Sequence, residues 1–395
     1  MRALLLVLAT LALPACGGSK TAAVKTGGAA KSPARTDVAP PAIKALVEGA
    51  AFAKIYLKDG DGTGAKGKAV AKLEEALKLD GRLWEAHYDL GLVFTRSGEL
   101  AKAEEHLEAA AAAEPESEQV AVALCEVRRR RGAMKSAAEG LEAFCKAHPN
   151  ALEARARLVV VLREAGRNDE AIVHARFILA KRPLDDATRA ELALAHLAKG
   201  ERDVAELLVS QALKQNPKSA AAWRAQGLVA LQKGDDAEAF RSFEKAAEYD
   251  PGDTTARVNM GNVLLRAGAF AEAEKAFRQV LATTPTDEGA MLGLAISLRG
   301  LKKHDEARVT YEKLLALSPR HLAATYGLGV LYADHLKDPS KARSLFKQVA
   351  EDAPKGSPLR ADAERWLKDL GDANGPPKPA PPPPTPPPSK PPAKK

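Results

Sequence analysis

Aromatic side chains are scarce in this 395-residue chain: Phe, Tyr and Trp together make up 5% of it. Sandwiches and barrels draw on aromatic and β-branched residues, so the scarcity argues against an all-β core. Cysteine occurs three times, with no Cys-x-x-Cys pair, and the 8 histidines include no His-Glu-x-x-His, so no zinc site is supported. Charge of one sign is missing from the body. Of the net +8, Arg2 holds one and segments 17–41 and 372–395 hold three each, which leaves +1 for residues 42–371. So neutral a body has no electrostatic footprint for nucleic acid. No nucleophile–base–orienter set stands out either, so the expectation is a non-enzyme with no cofactor and no small-molecule substrate. What is abundant is Ala, Leu and Val within a hydrophobic content of 46%, a composition suited to packed helices.

One uncharged apolar run, Ala3 to Ala15, follows the positive start Met1-Arg2. It is too short to span a bilayer comfortably and has the layout of an export signal. Its end, Leu13-Pro14-Ala15-Cys16, resembles the lipobox of bacterial lipoproteins, with Pro14 departing from that pattern. The resemblance implies removal of residues 1–15 and attachment of diacylglycerol to Cys16. It also implies an outer-membrane lipoprotein facing the periplasm, because Gly17 stands where an inner-membrane retention Asp would be. An ordinary secretory signal with an incidental cysteine is the alternative. Residues 16–41 are rich in Gly, Ala, Ser, Thr, Lys and Pro without apolar periodicity, which reads as a flexible tether.

The body is periodic. Pro115, Pro149, Pro183, Pro217, Pro251, Pro285 and Pro319 recur every 34 residues. Twelve residues before each stands an alanine: Ala103, Ala137, Ala171, Ala205, Ala239, Ala273 and Ala307, with Ala342 joining after a one-residue insertion near Asp338-Pro339. Gly98, Gly132, Gly166, Gly200, Gly234 and Gly268 fall midway. The reading is a helical hairpin: glycine permits the tight turn, alanine lets the helices approach closely, and proline stops the second helix. Each hairpin leaves an apolar face that the next one covers. With Leu90-Gly91, Phe94, Ala103, Leu107 and Pro115 in its first clear unit, the pattern resembles the tetratricopeptide repeat. That resemblance implies an all-α superhelical solenoid of about eight repeats over residues 84–354.

The array is flanked by capping elements. Residues 42–83 read as a degenerate leading hairpin, with Gly81 in the place of the proline. Residues 355–371 read as a closing amphipathic helix in which Leu359, Ala363, Trp366, Leu367 and Leu370 cover the last hairpin. The remaining segment, 372–395, is a disordered Pro/Lys-rich tail: residues 376–392 hold 12 of the 26 prolines, and lysines mark its tip.

Candidate chemistry in the leading segment is thin. Gly62, Gly67 and Lys68 imitate a phosphate loop, but Ala69 replaces the Ser or Thr and the preceding pattern is helical, not a strand. Asp59 and Asp61 imitate the start of a calcium loop, yet Val70 occupies the place of the bidentate carboxylate, so a Gly-rich hairpin loop is the better account. Cys125 and Cys145 sit too far apart along opposed helices for an easy disulfide, and buried thiols are expected, with a bridge left open.

The repeat resemblance implies that first helices line a concave groove. The early repeats place Arg96, Arg129, Arg130, Arg157 and Arg163 there, balanced by Glu85, Asp89, Glu126, Glu153 and Glu164. The run Arg128 to Arg131 reads as a solvated helix end. Later repeats place Leu194, Leu197, Leu228, Leu231, Val258, Leu265, Leu292, Ile296 and Val330, punctuated by Arg224, Asn259, Asn262 and Arg266. Asn259 falls on one place of the family's carboxylate clamp, whereas Leu228, Gly289 and Gly293 break the others. An amphipathic helix or extended segment along the apolar half is the expected ligand. The whole then reads as a lipid-anchored scaffold binding other cell-envelope proteins, in gliding motility or in pilus, secretin or envelope assembly. Two alternatives remain: a binder of peptidoglycan or polysaccharide acting through the tail, and an enzyme with an unrecognised site.

Overall fold

The computed structural model describes residues 38–371, and every described element is a helix or a turn. The signal, Cys16, the tether and the Pro/Lys tail lie outside those residues. The chain divides into two units, one ending at Leu301 and the other beginning at Lys302. The first contains a leading hairpin, α1 (Pro40–Asp59) and α2 (Ala65–Leu79), and then α3 (Trp84–Ser97) with α4 (Leu100–Ala113). Four more pairs follow: α5 (Glu118–Arg130) with α6 (Met134–Ala147), α7 (Leu152–Glu164) with α8 (Asn168–Lys181), α9 (Asp186–Ala198) with α10 (Arg202–Gln215), and α11 (Ala220–Lys233) with α12 (Asp236–Tyr249). The unit ends with α13 (Thr254–Arg266), α14 (Phe270–Thr283) and α15 (Glu288–Gly300).

Each element of the 34-residue pattern has its physical counterpart. The six turn glycines all take φ between 75° and 81°. That is the left-handed region, which costs a side-chain-bearing residue about 1–2 kcal/mol. At the seventh turn Lys302 stands in the glycine's place and adopts φ 62° nonetheless. Second helices α4, α6, α8, α10, α12 and α14 stop two residues before their prolines. Two residues after the proline, Ser117, Asp185, Ser219, Asp253 and Asp287 each accept the first free backbone N–H groups of the next helix. Such a cap contributes about 1 kcal/mol. Ala151 breaks this series at α7, and Glu118 Oε1, one repeat away, accepts from Ala154 N at 2.8 Å instead.

Within a hairpin the helices meet where a small residue faces a large one. A Cβ on Gly91 would lie 2.5 Å from Leu107 Cγ, and one on Gly261 would lie 2.6 Å from Phe277 Cζ. Gly227 is closed off by the Phe243 ring in the same way. The neighbouring register holds Ala193 with Val209, and the one before it Val159 with Ala175, so volume is shared between two positions while the space stays filled. The in-register alanines from Ala103 to Ala273 are fully or almost fully buried.

The second unit holds α16 (His304–Leu317), α17 (Leu322–Asp334), α18 (Pro339–Asp352) and α19 (Pro358–Asp369). Gly329 opposes Phe346, whose ring stacks on Trp366 of α19 at 5.3 Å between centroids. Trp366 Nε1 donates to Tyr326 Oη at 3.3 Å, so the last helix closes the apolar face of α17 and α18. Among the described residues, no helix is long and apolar enough to cross a membrane.

Candidate functional site

In the first unit the first helices of successive hairpins pack on one another: α3 with α5, α5 with α7, α7 with α9, α9 with α11, and α13 with α15. Among the described residues, no pair of neighbouring second helices of this unit packs comparably, so the first helices form the tight inner layer. Their facing residues build a ladder of ion pairs. Arg129 of α5 holds Glu126 at 2.8 Å and reaches Glu164 of α7 at 3.2 Å. Arg157 lies 3.7 Å from Glu126, and Arg163 lies 2.9 Å from Glu191 of α9. Arg224 of α11 then bridges Glu191 at 3.5 Å and Asp253, the cap of α13, at 2.5 Å.

Burial and pairing compete differently along this ladder. Burial acts to raise the Glu126 carboxyl, but the Arg129 hydrogen bond and the charges of Arg129 and Arg157 outweigh it and hold the group below its ordinary range. Glu191 behaves alike: burial is overcome by Arg163 and Arg224. At Glu164 burial wins over Arg129 and the pKa rises; its Oε1 has no hydrogen-bond partner. At the edge of the array, Asp89 is pushed up to about 7 by burial and then by the negative charge of Glu85.

The expected groove residues divide by exposure. Leu228, Val258, Leu265, Leu292 and Ile296 are buried in the inner layer. Arg224 is 3% exposed and committed to the ladder, and Asn259 is 2% exposed with Nδ2 unpartnered. Leu231, Asn262 and Arg266 are half-buried and reach the surface, with Arg266 paired to Asp236 at 3.1 Å. Arg96 reaches back to the Leu57 carbonyl at 2.8 Å and lies against the Tyr56 ring.

The solvated helix end expected at Arg128 to Arg131 is corrected by the structure, which uses all four side chains. Arg128 and Arg131 pair with Glu104, and Arg129 belongs to the ladder. Arg130 donates to the Thr95 carbonyl at 3.0 Å and extends across the unit to Thr286 Oγ1 at 3.5 Å, at the turn before α15. Glu118, Glu191 and Asp253 are the structural partners that sequence reasoning passed over. Only Asp253 carried a signal, two residues after Pro251 where a cap belongs.

In the leading loop, Asp61 Oδ1 accepts from Lys66 N at 2.8 Å and so starts α2. Asp59 is the last residue of α1. Among the described residues, no three His, Cys, Asp or Glu side chains form a metal-holding group. Cys125 and Cys145 are both buried and free, and burial pushes the Cys125 thiol up to about 12.

The fold and this inner face define a class: a solenoid of helical hairpins whose first helices share an inner face. Models of the tetratricopeptide repeat match residues 63–118 and 292–357, and residues 162–229. The TPR domain of cytochrome c-type biogenesis protein H matches residues 197–323. The chain is a tetratricopeptide-repeat protein, and arrays of this family support protein–protein interaction scaffolds. Similar solved structures include the human IFIT1 dimer with m7Gppp-AAAA, at 16% identity and TM-score 0.56, covering 84% of each chain. A tetratricopeptide repeat protein from Parabacteroides merdae is 20% identical with TM-score 0.41, covering 72% of this chain and 97% of that one. PilF from Pseudomonas aeruginosa is 20% identical with TM-score 0.45, covering 54% and 96%. No curated protein matches the chain.

Proposed function

We propose that the chain is a non-enzymatic scaffold, anchored by lipid at Cys16 to the outer membrane and facing the periplasm, that gathers other cell-envelope proteins. The observation that carries this reading is the inner layer of first helices, which keeps Leu231, Asn262 and Arg266 at its surface beside a charge-balanced ladder. That combination favours a partner segment with an apolar stripe and few charges. The process served is gliding motility, or pilus, secretin or envelope assembly. The lipobox-like Leu13-Pro14-Ala15-Cys16 supports the anchor, and the Gly/Ala/Lys-rich segment to residue 41 supplies reach.

Two experiments test the two halves of the proposal. Cys16→Ser should move the protein from the membrane fraction to the soluble fraction and abolish incorporation of labelled fatty acid; retention of both would overturn the anchor. Photo-crosslinkers at Leu231 and Asn262 should capture a defined partner in cells, whereas crosslinkers at the exposed second-helix positions Val173 and Leu207 should not. Equal capture from both sets would overturn the inner-face reading. Deleting residues 372–395 should leave that capture intact, while loss of capture together with loss of wall association would favour polymer binding through the tail.

A further inference from the structure

The 34-residue register places one residue of each first helix against the residue nineteen positions later in the second helix. In the first repeat these are His87 and His106, whose Nδ1 atoms stand 3.0 Å apart. In the second repeat both are small, Ala121 and Gly140. In the third, Arg155 meets His174, and the guanidinium Nη1 lies 2.8 Å from the imidazole Nδ1. No other repeat carries imidazole at both positions.

We propose that His87 and His106 form a binding site for a late first-row divalent transition ion, of the Cu²⁺ or Ni²⁺ class, with both Nδ1 atoms as neighbouring ligands. Two metal–nitrogen bonds of about 2.0–2.1 Å at a right angle separate the nitrogens by about 2.9 Å, whereas tetrahedral ligation needs about 3.4 Å. The observed spacing matches the square-planar or tetragonal case. Without the ion the two Nδ1 atoms share a hydrogen bond; binding the ion releases that proton to water and turns each ring by roughly 45°, the angle between the N···N line and each bond of a right-angled pair. Phe94 stacks on His106 at 5.6 Å and walls one side, with Lys102 Nζ above that ring at 5.2 Å. The charged groups acting on the pair are Glu74, Glu105 and Lys102, a net negative surrounding. Both imidazoles are only half-buried, so water completes the coordination. The site stands independently of the scaffold reading, since it lies in the hairpin interface of α3 and α4.

The test is a titration of chelator-treated, tag-free protein carrying Cys16→Ser with Cu²⁺ and, separately, Ni²⁺, read by calorimetry and by electron paramagnetic resonance for copper. One equivalent should bind with a two-imidazole nitrogen signature. His87→Gln and His106→Gln should each weaken this equivalent at least tenfold, and His174→Gln should leave it unchanged. Circular dichroism of each variant separates lost ligation from lost folding. Should either variant unfold, imidazole NMR of the unsubstituted protein decides, because Ni²⁺ must broaden the His87 and His106 signals before the His174 signal. Unchanged affinity in both variants, or equal broadening of all three signals, would overturn the proposal.

Discussion

Arg224 and Asp253 meet at 2.5 Å with side chains 3% and 0% exposed. The same carboxylate caps α13, accepting from Thr255 N and Ala256 N. Removing Asp253 takes away both the α13 cap and the nearest partner of Arg224, which keeps only the longer contact to Glu191 at 3.5 Å, at a cost of about 3–5 kcal/mol. Asp253→Ala should therefore lower the urea midpoint sharply. Arg224→Met combined with Asp253→Asn keeps a cap and strands no cation, so it should recover most of the loss.

Glu164 and Glu191 occupy the same ladder with opposite balances. Glu164 has a folded-state pKa above its unfolded value, so its stabilising contribution is complete below the unfolded pKa and disappears as pH rises. Glu191 has a depressed pKa and contributes above its unfolded value, losing that contribution as pH falls. At neutral pH, Glu164→Gln should leave the urea midpoint unchanged or raise it, and Glu191→Gln should lower it.

Asp89 gives a pH signature. Its unfolded pKa is about 3.9 and its folded value about 7, so stability should decline as pH rises between the two. Asp89→Asn should raise the melting temperature at pH 8, by the equivalent of about 1–2 kcal/mol after solvent screening of this half-buried group. Near pH 4 the variant and the parent should melt together.

Gly227 and Phe243 test the shared-volume principle. Gly227→Ala forces a methyl into the Phe243 ring, which should cost about 1–3 kcal/mol. Adding Phe243→Val recreates the Ala193 and Val209 combination of the preceding repeat and should restore much of the thermal stability.

Glu118 substitutes for a missing cap at α7. Glu118→Ala frees Ala154 N and should cost about 1 kcal/mol by urea denaturation. Ala151→Ser, in that background, should return the loss by capping the helix locally.

Much of the fold was legible because proline, glycine and alanine act on the backbone directly. Pro251 limits α12 wherever its neighbours lie, and Gly98 turns the chain by its own φ. Lys302 shows the limit: a left-handed backbone falls there on a residue that does not favour it, so residue type alone does not mark that turn. The inner face was legible as a set of positions but not as a set of contacts. Arg224 and Arg266 both fall on inner-face places of first helices. Yet one is sealed between Glu191 and Asp253 while the other sits at the surface with Asp236, because their surroundings come from different helices. His87 and His106 went unremarked for the same reason, as neither forms a local motif and only the hairpin brings them together.

The reach of Arg130 to Thr286 joins points 156 residues apart within the first unit. A stack of hairpins held only by neighbours stretches like a coil spring, each joint yielding a little under load. A contact between distant coils adds a tie that such a spring lacks, yet a single long hydrogen bond of about 1 kcal/mol gives way under small load and leaves the stacked neighbours to carry the rest.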